Sequence, residues 1–336
     1  MTVIFASHAF FERHDAALTR IGALPGPHGP IERLEIPEAD GARLSPEDTE
    51  RMTVAFMSGD LNDRPEVDLR RRLYGSARRA PNLKWLHTSQ VGTDDPVFAK
   101  LMEKGVALSN SPGASAEPIA LTALAALLSL SRALPHYAAA QREHEWQTLP
   151  GPTAPDDLRG QTVTIVGLGA NGGRLAAFLR PLGVTIIGVR RTPAGAADGV
   201  DEWVPPERLA EVLPRTHWLV LSAPLTDETR GMIDAQALAA LPQGACVLNI
   251  GRGGLIDEDA LIAALQSGHL GGAYLDVFAT EPLPTESPLW DLPNVLLTPH
   301  DSLASRGNTA RSDAIFLEEL ERWQRGEQPS RLVNER

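Results

Sequence analysis

The feature that most constrains this chain is a glycine-rich turn that joins an apolar segment to a helix-forming segment. Residues 163–166 read Val-Thr-Ile-Val, and residues 167–172 follow with the pattern G-x-G-x-x-G. A helix-forming segment at 174–180 and a second apolar run at 184–189 come next. Strand, tight turn, helix and strand in this order form a βαβ unit, and such a unit requires a parallel sheet.

The alternation of strands and helices continues along the rest of the chain. Further strand candidates lie at 218–222, 246–250, 272–277 and 295–298, with helical segments at 234–241 and 257–267. The first hundred residues alternate as well, with strand candidates at 3–6, 53–57 and 83–87. We therefore predict an α/β protein with a doubly wound, parallel Rossmann-type sheet and a second, smaller α/β domain. Two further helices are predicted, an apolar one at 116–131 and one at 310–325 that ends before Gly326.

Charge and composition exclude several classes of function. A formal net charge of −12 over 336 residues argues against a nucleic-acid groove, which needs a basic footprint. We interpret the cluster of arginines at 70–72, 78 and 79 as the solvated face of a helix. No stretch approaches about 20 uninterrupted apolar residues and no leader pattern opens the chain, so we expect a cytoplasmic protein without a membrane span. The single cysteine, Cys246, lies in an apolar run and is expected to be a buried thiol.

The glycine motif predicts a dinucleotide site. Gly167 permits the tight turn, Gly169 lets a pyrophosphate approach the backbone, and Gly172 packs the helix against its strand. The N-terminus of the following helix offers free N–H groups to phosphates, and Ala170 and Asn171 within the turn are expected to bind the cofactor as well. A glycine-rich turn of purely structural use is the alternative.

The residues after the second strand of the βαβ unit bear on the choice of cofactor. An Asp or Glu about 20 residues past the motif would hold the 2′-hydroxyl of NAD. This chain has Arg190, Arg191 and Thr192 there, which form a plausible cradle for the 2′-phosphate of NADP. We predict NADP as the preferred cofactor with NAD possible; the alternative is that the arginines are solvated loop charges.

Three polar residues follow predicted strands of the same sheet, and their chemistry is complementary. Arg252, Glu281 and His300 each lie just beyond a strand, where open parallel sheets bind their ligands. Reduction of a 2-keto acid needs a cation for the carboxylate and a proton donor for the carbonyl oxygen, and a carboxylate beside a histidine favours its charged form. Each residue alone is more often a surface charge, a loop carboxylate or a satisfied imidazole.

Four segments, at 167–172, 249–254, 275–282 and 296–300, resemble the D-isomer-specific 2-hydroxyacid dehydrogenase family in order and spacing, with glyoxylate/hydroxypyruvate reductases as the nearest type. The resemblance implies hydride transfer between NADP(H) or NAD(H) and a small 2-keto acid or D-2-hydroxy acid. It implies Arg252 as substrate anchor, His300 as acid/base and Glu281 as its partner. It also implies contacts to the substrate from Val91 and Gly92, and to the cofactor from Ala223, Pro224, Thr229, Ile250 and Asp276, with Asp276 at the nicotinamide carboxamide.

The resemblance further implies an architecture and an assembly. Residues 1–112 and 303–336 would form a discontinuous, flavodoxin-like substrate domain, and residues 113–302 the dinucleotide-binding domain, with the active site in the cleft. A homodimer through the cofactor domain is expected, with residues 137–146 as the arm, and no metal site is predicted. This chain departs from the family pattern at Gln90 and at residues 301–305, both of which touch the pocket, so the substrate stays open.

Three other functions compete with this one. A phosphite dehydrogenase would use a similar constellation. A cofactor-sensing protein similar to a corepressor would keep the nucleotide site and bind a peptide partner. A third possible function is that of a dinucleotide-binding protein in which Arg252, Glu281 and His300 have only structural roles.

Overall fold

The computed structural model describes residues 1–39, 42–62, 68–93, 95–193 and 199–333. The chain divides into two compact units. The first comprises Met1–Ser115 and Ser305–Arg336, and the second Ala116–Ala304. The boundaries lie two to three residues from those that the sequence predicts. Each unit has its own parallel sheet and its own hydrophobic core.

The first unit contains a five-stranded parallel sheet in the order β2-β1-β3-β4-β5. This is the strand order of flavodoxin-like folds, so the predicted class of the smaller domain is confirmed. The strands are β1 (Thr2–Ala6), β2 (Ile31–Glu35), β3 (Val54–Met57), β4 (Trp85–Thr88) and β5 (Ala107–Asn110). The helices are α1 (His8–Arg13), α2 (Asp15–Gly22), α3 (Pro46–Arg51), α4 (Leu69–Ala77), α5 (Pro96–Met102) and, from the end of the chain, α12 (Asn308–Gln324).

Helix α12 fixes the end of the chain in the core of this unit. Phe316 stacks on Phe56 with ring centroids 4.0 Å apart. The Thr2 hydroxyl donates a hydrogen bond to the Gln324 amide oxygen at 2.9 Å, and the fully buried Asp313 pairs with the Arg13 guanidinium at 2.8 Å. Apolar and charged contacts of α12 therefore reach β1, β3 and α1, which lie some three hundred residues earlier in the sequence.

The second unit contains a seven-stranded parallel sheet in the order β12-β11-β10-β9-β6-β7-β8. Strand order reverses beside β6, which pairs with β7 on one side and β9 on the other. This is the doubly wound topology that the sequence predicts, and it is confirmed. The strands are β6 (Thr162–Val166), β7 (Thr185–Val189), β8 (Glu202–Val204), β9 (Trp218–Leu221), β10 (Cys246–Asn249), β11 (Gly272–Leu275) and β12 (Val295–Leu297).

Helices cover both faces of this sheet. They are α6 (Ala116–Ser131), α7 (Leu134–Arg142), α8 (Ala170–Leu179), α9 (Leu209–Val212), α10 (Ala235–Ala239) and α11 (Glu258–Gln266). Helix α6 has the predicted bounds and buries Leu127 and four alanines, although Leu121 on its other side is exposed. Cys246 is buried as predicted, and burial raises the pKa of its thiol to about 12.

The residues that the structure describes include no single helix long and apolar enough to cross a membrane. Helices α6 and α7 meet the criteria of length and composition only when taken together, and the chain bends by 73° between them.

Candidate active site

The three motif glycines occupy three different environments. Gly167 has φ +96°, and a Cβ there would lie 2.6 Å from the Ala223 nitrogen. A Cβ on Gly172 would lie 2.0 Å from the Gly167 carbonyl oxygen, so the start of α8 packs directly on the turn. Gly169 differs, because a Cβ on it would meet no atom within 4 Å. The second glycine therefore faces open space, as a bound pyrophosphate requires.

The N-terminus of α8 offers unsatisfied donors beside that open space. Gly169 is the N-cap residue and no side chain caps the helix. Because the first intrahelical bond runs from the Gly173 N–H to the Gly169 carbonyl, the N–H groups of Ala170 and Asn171 have no partner within the helix. Free N–H groups and the positive end of the helix dipole suit a phosphate. Gly169, Ala170 and Asn171 thus have the geometry that the motif predicts.

The loop after β9 closes the other side of this crevice. Its Ala223 backbone abuts Gly167, so the loop meets the glycine turn where strand order reverses. The Thr229 hydroxyl donates to the Pro224 carbonyl at 2.7 Å and accepts from the Thr226 N–H at 2.8 Å. Ile250 is buried, and its N–H donates to the Leu221 carbonyl at 3.0 Å. Ala223, Pro224, Thr229 and Ile250 therefore belong to one ordered wall.

The two arginines after β7 have different contacts, which the sequence alone does not reveal. Arg190 turns back on its own loop and donates from Nε to the Thr192 carbonyl at 2.7 Å and from Nη2 to the Pro193 carbonyl at 2.8 Å. Arg191 is exposed. The pKa of Glu228 is lowered, first by a hydrogen bond from Thr226 and to a lesser degree by the charge of Arg191. Arg190 shapes the loop, and Arg191 presents its charge.

The loop that carries Arg252 is fixed by the last residue of β10. Asn249 is fully buried; its side-chain nitrogen donates to the Arg252 carbonyl at 3.0 Å, and its side-chain oxygen accepts from the Gly251 N–H at 3.1 Å. A Cβ on Gly253 would lie 1.9 Å from the Phe278 carbonyl oxygen. The loops after β10 and β11 therefore touch, which brings the backbone beside Arg252 against the loop that carries Glu281.

Glu281 and His300 form the pair that the sequence predicts. Glu281 Oε2 lies 2.8 Å from His300 Nδ1, and Glu281 Oε1 accepts from the Phe278 N–H at 3.1 Å. Both side chains remain accessible, with 42% of His300 and 37% of Glu281 exposed. Because the carboxylate engages Nδ1, Nε2 is the nitrogen available to a ligand.

The backbone of His300 adopts a conformation that only a minority of non-glycine residues show. Its φ is +53°, in the left-handed region. Its N–H lies 2.8 Å from the Asp276 carbonyl and 3.0 Å from the Thr298 carbonyl. Such conformations cost about 1 kcal/mol and cluster at functional sites, so the surrounding contacts must hold this one in place.

Asp276 supplies most of those contacts. Its carboxylate is buried and accepts from the Thr298 hydroxyl at 2.6 Å, from the N–H groups of Asp301 and Ser302 at 2.9 Å each, and from the Ser302 hydroxyl. Because Thr298 gives its proton to Asp276, the Tyr274 hydroxyl donates to Thr298, at 2.8 Å. Burial raises the pKa of Tyr274 to about 12. Sequence reasoning assigned Asp276 to the nicotinamide carboxamide and missed this network, in which the carboxylate holds the segment after His300.

The predicted substrate turn lies in the first unit. Val91 is exposed, and its carbonyl accepts a hydrogen bond from the Asn110 side chain at 2.8 Å. Among the described residues, the N–H groups of Val91 and Gly92 make no hydrogen bond. Two free backbone donors on a turn suit a carboxylate ligand.

Comparison with known proteins decides the family. The sequence profile described as "D-isomer specific 2-hydroxyacid dehydrogenase, NAD binding domain" matches residues 124–302, more than half of the chain. The chain belongs to this family. The predicted class of enzyme, a nicotinamide-dependent 2-hydroxyacid dehydrogenase, is thereby confirmed.

Individual relatives agree with this family assignment. The dehydrogenase is 34% identical over 261 residues to a glyoxylate reductase of Korarchaeum cryptofilum, covering 76% of this chain and 77% of the relative. It is 38% identical over 223 residues to D-3-phosphoglycerate dehydrogenase of Mycobacterium bovis, but spans only 41% of that protein. A structure of a D-isomer specific 2-hydroxyacid dehydrogenase of Xanthobacter autotrophicus, solved with NADPH and MES, is similar to the present chain with a TM-score of 0.77 and 31% sequence identity. The match covers 99% of the present chain and 98% of the Xanthobacter chain.

Proposed function

We propose that this dehydrogenase reduces a small 2-keto acid of the glyoxylate or hydroxypyruvate type with NADPH. The observation that carries the proposal is the contact of 2.8 Å between His300 Nδ1 and Glu281 at the carboxyl edge of a doubly wound sheet. The glyoxylate reductase named above supports the substrate class.

The residues of this chain divide the chemistry between them. Bound NADPH supplies a hydride to the keto carbon. His300 donates a proton from Nε2 to the carbonyl oxygen, because Glu281 engages Nδ1 and leaves Nε2 as the nitrogen available to the substrate. Arg252 binds the substrate carboxylate, since a guanidinium matches the geometry of a carboxylate in a bidentate pair. We also propose the N–H groups of Val91 and Gly92, which make no hydrogen bond among the described residues, as donors to a substrate carboxylate.

The preference for NADP follows from the loop after β7. No carboxylate follows that strand at 190–192, where NAD-specific sites place one for the ribose. Arg191 is exposed and would contact the 2′-phosphate, while Arg190 would keep the loop in position through its bonds to Thr192 and Pro193. We expect Gly169, Ala170 and Asn171 to hold the pyrophosphate.

A spectrophotometric panel tests the reaction. Glyoxylate, hydroxypyruvate, phenylpyruvate and 3-phosphohydroxypyruvate are each offered with NADPH and with NADH, and phosphite is offered with NADP⁺. We expect turnover of the small keto acids. His300→Gln should lower kcat by about 10²- to 10⁴-fold while the affinity for NADPH stays within about three-fold of the wild type.

His269→Gln is the matched control for this panel. His269 lies in the same unit, before β11, and its Nε2 bonds to the Leu238 carbonyl. The control should keep wild-type kcat. Unchanged turnover in His300→Gln would show that His300 is not the acid. If the wild type bound the cofactor but turned over no substrate, the cofactor-sensing function would be favoured.

The two arginines are tested separately. Arg191→Ser should raise the KM for NADPH at least about ten-fold and leave the KM for NADH within about three-fold, because only NADPH carries the 2′-phosphate. Arg190→Ser should impair both cofactors, since it alters the loop. Equal loss for both cofactors in Arg191→Ser would refute the assignment of the phosphate contact.

We further propose a cytoplasmic homodimer that forms through the second unit. Leu134, Tyr137 and Trp146 expose apolar surface on α7 and just after it, and Trp146 is 97% exposed. Exposed aromatic groups of this kind are typical of interfaces. Light scattering after gel filtration should show a dimer that Trp146→Asp weakens and Leu332→Asp, an exposed apolar position in the first unit, does not. A monomeric wild type would refute the dimer.

A further inference from the structure

The arginine cluster noted in the sequence lines a groove on the first unit. Two adjoining depressions of about 750 and 450 Å³ share Gly75, Arg78 and Arg79, so they form one continuous groove along α4 and α5. Among the described residues, eight cationic side chains and three carboxylates line it, although the whole chain has a net charge of −12. This groove is a local concentration of positive charge on an acidic protein.

Spacing along α4 explains how the groove forms. Arg71 and Gly75 lie four residues apart on one face of α4, and Arg78 and Arg79 follow in the turn at its C-terminal end. A Cβ on Gly75 would meet only Arg79 Nη1, at 3.8 Å. A glycine within a helix costs about 0.5–1 kcal/mol relative to alanine. Here it leaves a notch between charged neighbours.

Most of these cations have no anionic partner. Among the residues that the structure describes, the side chains of Arg71, Arg78, Arg79 and Lys100 make no ion pair and no hydrogen bond. Asp68 and Asp95, which also line the groove, cap α4 and α5, and Asp95 in addition pairs with Arg70 at 3.9 Å. The third carboxylate, Glu103, is exposed at the end of α5.

The helix dipole accounts for only part of the cluster. Cations at a helix C-terminus are favourable, which suits Arg78 and Arg79, and Lys104 Nζ donates to the Arg78 carbonyl there at 2.7 Å. Arg71 lies instead in the first turn of α4, which contains no acidic residue beyond the N-cap Asp68. A cation at that end is unfavourable. A bound anion would relieve this repulsion.

We propose that the groove binds a small oligophosphate, either free or as the phosphate chain of a nucleotide. Guanidinium groups bind phosphate oxygens in bidentate pairs, and several on one face match a ligand with several phosphates. The groove has the size of small-molecule pockets, and a net acidic chain disfavours an extended nucleic acid. The described lining residues all belong to the first unit, whereas the glycine motif belongs to the second.

Calorimetry tests the proposal. Inorganic tripolyphosphate and ATP are titrated separately into the full-length protein with saturating NADP⁺, so that the dinucleotide crevice does not compete. We expect saturable binding of one tripolyphosphate per chain, and similar binding of ATP. The double variant Arg78→Glu/Arg79→Glu should weaken it at least about ten-fold.

The matched control is Arg159→Glu/Arg180→Glu, which changes the net charge equally at two exposed arginines of the second unit. It should bind tripolyphosphate within about three-fold of the wild type. Equal loss in both double variants, or no saturable binding, would overturn the proposal. If the protein bound ATP but not tripolyphosphate, the phosphates would not be the recognised group and the proposal would be wrong. If it bound a single-stranded oligonucleotide more tightly than tripolyphosphate, the groove would be a nucleic-acid site instead.

Gly75→Leu provides a test that leaves the charge unchanged. The φ of Gly75 is ordinary for a helix and leucine forms helices well, so we expect the variant to fold with unreduced thermal stability. Its side chain would fill the notch and lower the affinity for tripolyphosphate. Wild-type affinity in a folded Gly75→Leu protein would exclude the groove as the site.

Discussion

His87 makes the first unit sensitive to acid. Its side chain in β4 is fully buried, with Nδ1 2.6 Å from the Ser109 hydroxyl and Nε2 2.9 Å from the Ser111 hydroxyl. Trp85 Nε1 also donates to the Ser109 hydroxyl, at 2.8 Å. Because Ser109 accepts from Trp85, its proton is available to Nδ1, and Nε2 donates the ring proton to Ser111. The neutral ring therefore satisfies both of its nitrogens.

The direction of the pH effect follows from this burial. Desolvation, helped by the charge of Arg331, lowers the pKa of His87 from 6.5 to about 3 in the folded protein. Below pH 6.5 the unfolded chain takes up a proton that the folded protein does not accept until about pH 3. Stability from this residue is thus present above pH 6.5 and is lost as the pH falls. At about 1.4 kcal/mol per pH unit, the loss between about pH 7 and pH 5 is roughly 2 kcal/mol.

Urea unfolding of the wild type and of His87→Gln, near pH 7 and near pH 5, measures this term. Hydrogen exchange of peptides from β4 and β5 reports on the first unit alone. We expect His87→Gln to be less stable at neutral pH but to lose roughly 2 kcal/mol less on acidification than the wild type does. The same pH dependence in His87→Gln, or a His87 ring that titrates near 6.5 by NMR, would refute the reasoning.

Three other predictions concern the glycine turn, the Asp276 network and the tail. Gly172→Ala forces a Cβ onto a backbone oxygen and should lower both stability, by about 1–3 kcal/mol, and NADP⁺ affinity. In Gly169→Ala the new Cβ meets no atom, so this variant should lower only the affinity for NADP⁺. Urea midpoints measure the stability of the two variants, and fluorescence titration measures their NADP⁺ affinity. Equal stabilities of the two variants would contradict the packing argument. Ser302→Ala removes a donor to the Asp276 carboxylate, so the free energy of unfolding should fall by about 1–2 kcal/mol. The variant should also have a lower kcat at an unchanged KM for NADPH. Unchanged kcat would show that the network does not position His300. Glu319→Ala removes the buried acceptor of the Ser330 N–H and of Arg331 Nη1, while Arg331 keeps Glu318 at 3.3 Å. It should cost about 1–3 kcal/mol by urea unfolding and speed proteolysis after residue 325, and a wild-type proteolysis rate would count against it.

The sequence predicts the central strands well because they are apolar on both faces. Each strand expected at 163–166, 218–222, 246–250 and 272–277 is present within two residues. Three strands were not expected, namely β2 (Ile31–Glu35), β5 (Ala107–Asn110) and β8 (Glu202–Val204). All three lie at sheet edges. Edge strands are short and carry polar side chains, so their local pattern resembles that of a loop.

The start of α8 depends on contacts that the local sequence pattern does not show. The sequence predicts a helix from residue 174, whereas α8 begins at Ala170. Glycine is a poor helix former, so the first turn, which includes Gly172, has no favourable propensity of its own. This first turn of α8 is helical because the turn after β6 and the packing of Gly172 on Gly167 fix the backbone there.

For the candidate site, the sequence identified residue types but not their contacts. It predicted the pairing of Glu281 with His300, which the structure shows, because a carboxylate beside a histidine has a clear chemical reason. It treated Arg190 and Arg191 as equivalent, since a side chain's direction in a loop depends on neighbours that local spacing does not specify. Asn249 was missed for a similar reason: an amide at the end of an apolar strand gives no sign of which backbone groups it will bind.

The placement of α12 in the first unit has a consequence for synthesis. Phe316 completes the aromatic core around Phe56, and Gln324 binds Thr2. On a ribosome, the second unit emerges whole before these partners exist, whereas the opening 115 residues must wait for the final turn of α12. The nascent polypeptide therefore carries an unfinished apolar surface through most of its translation, and the two halves of the enzyme mature in the reverse of the order in which they are made.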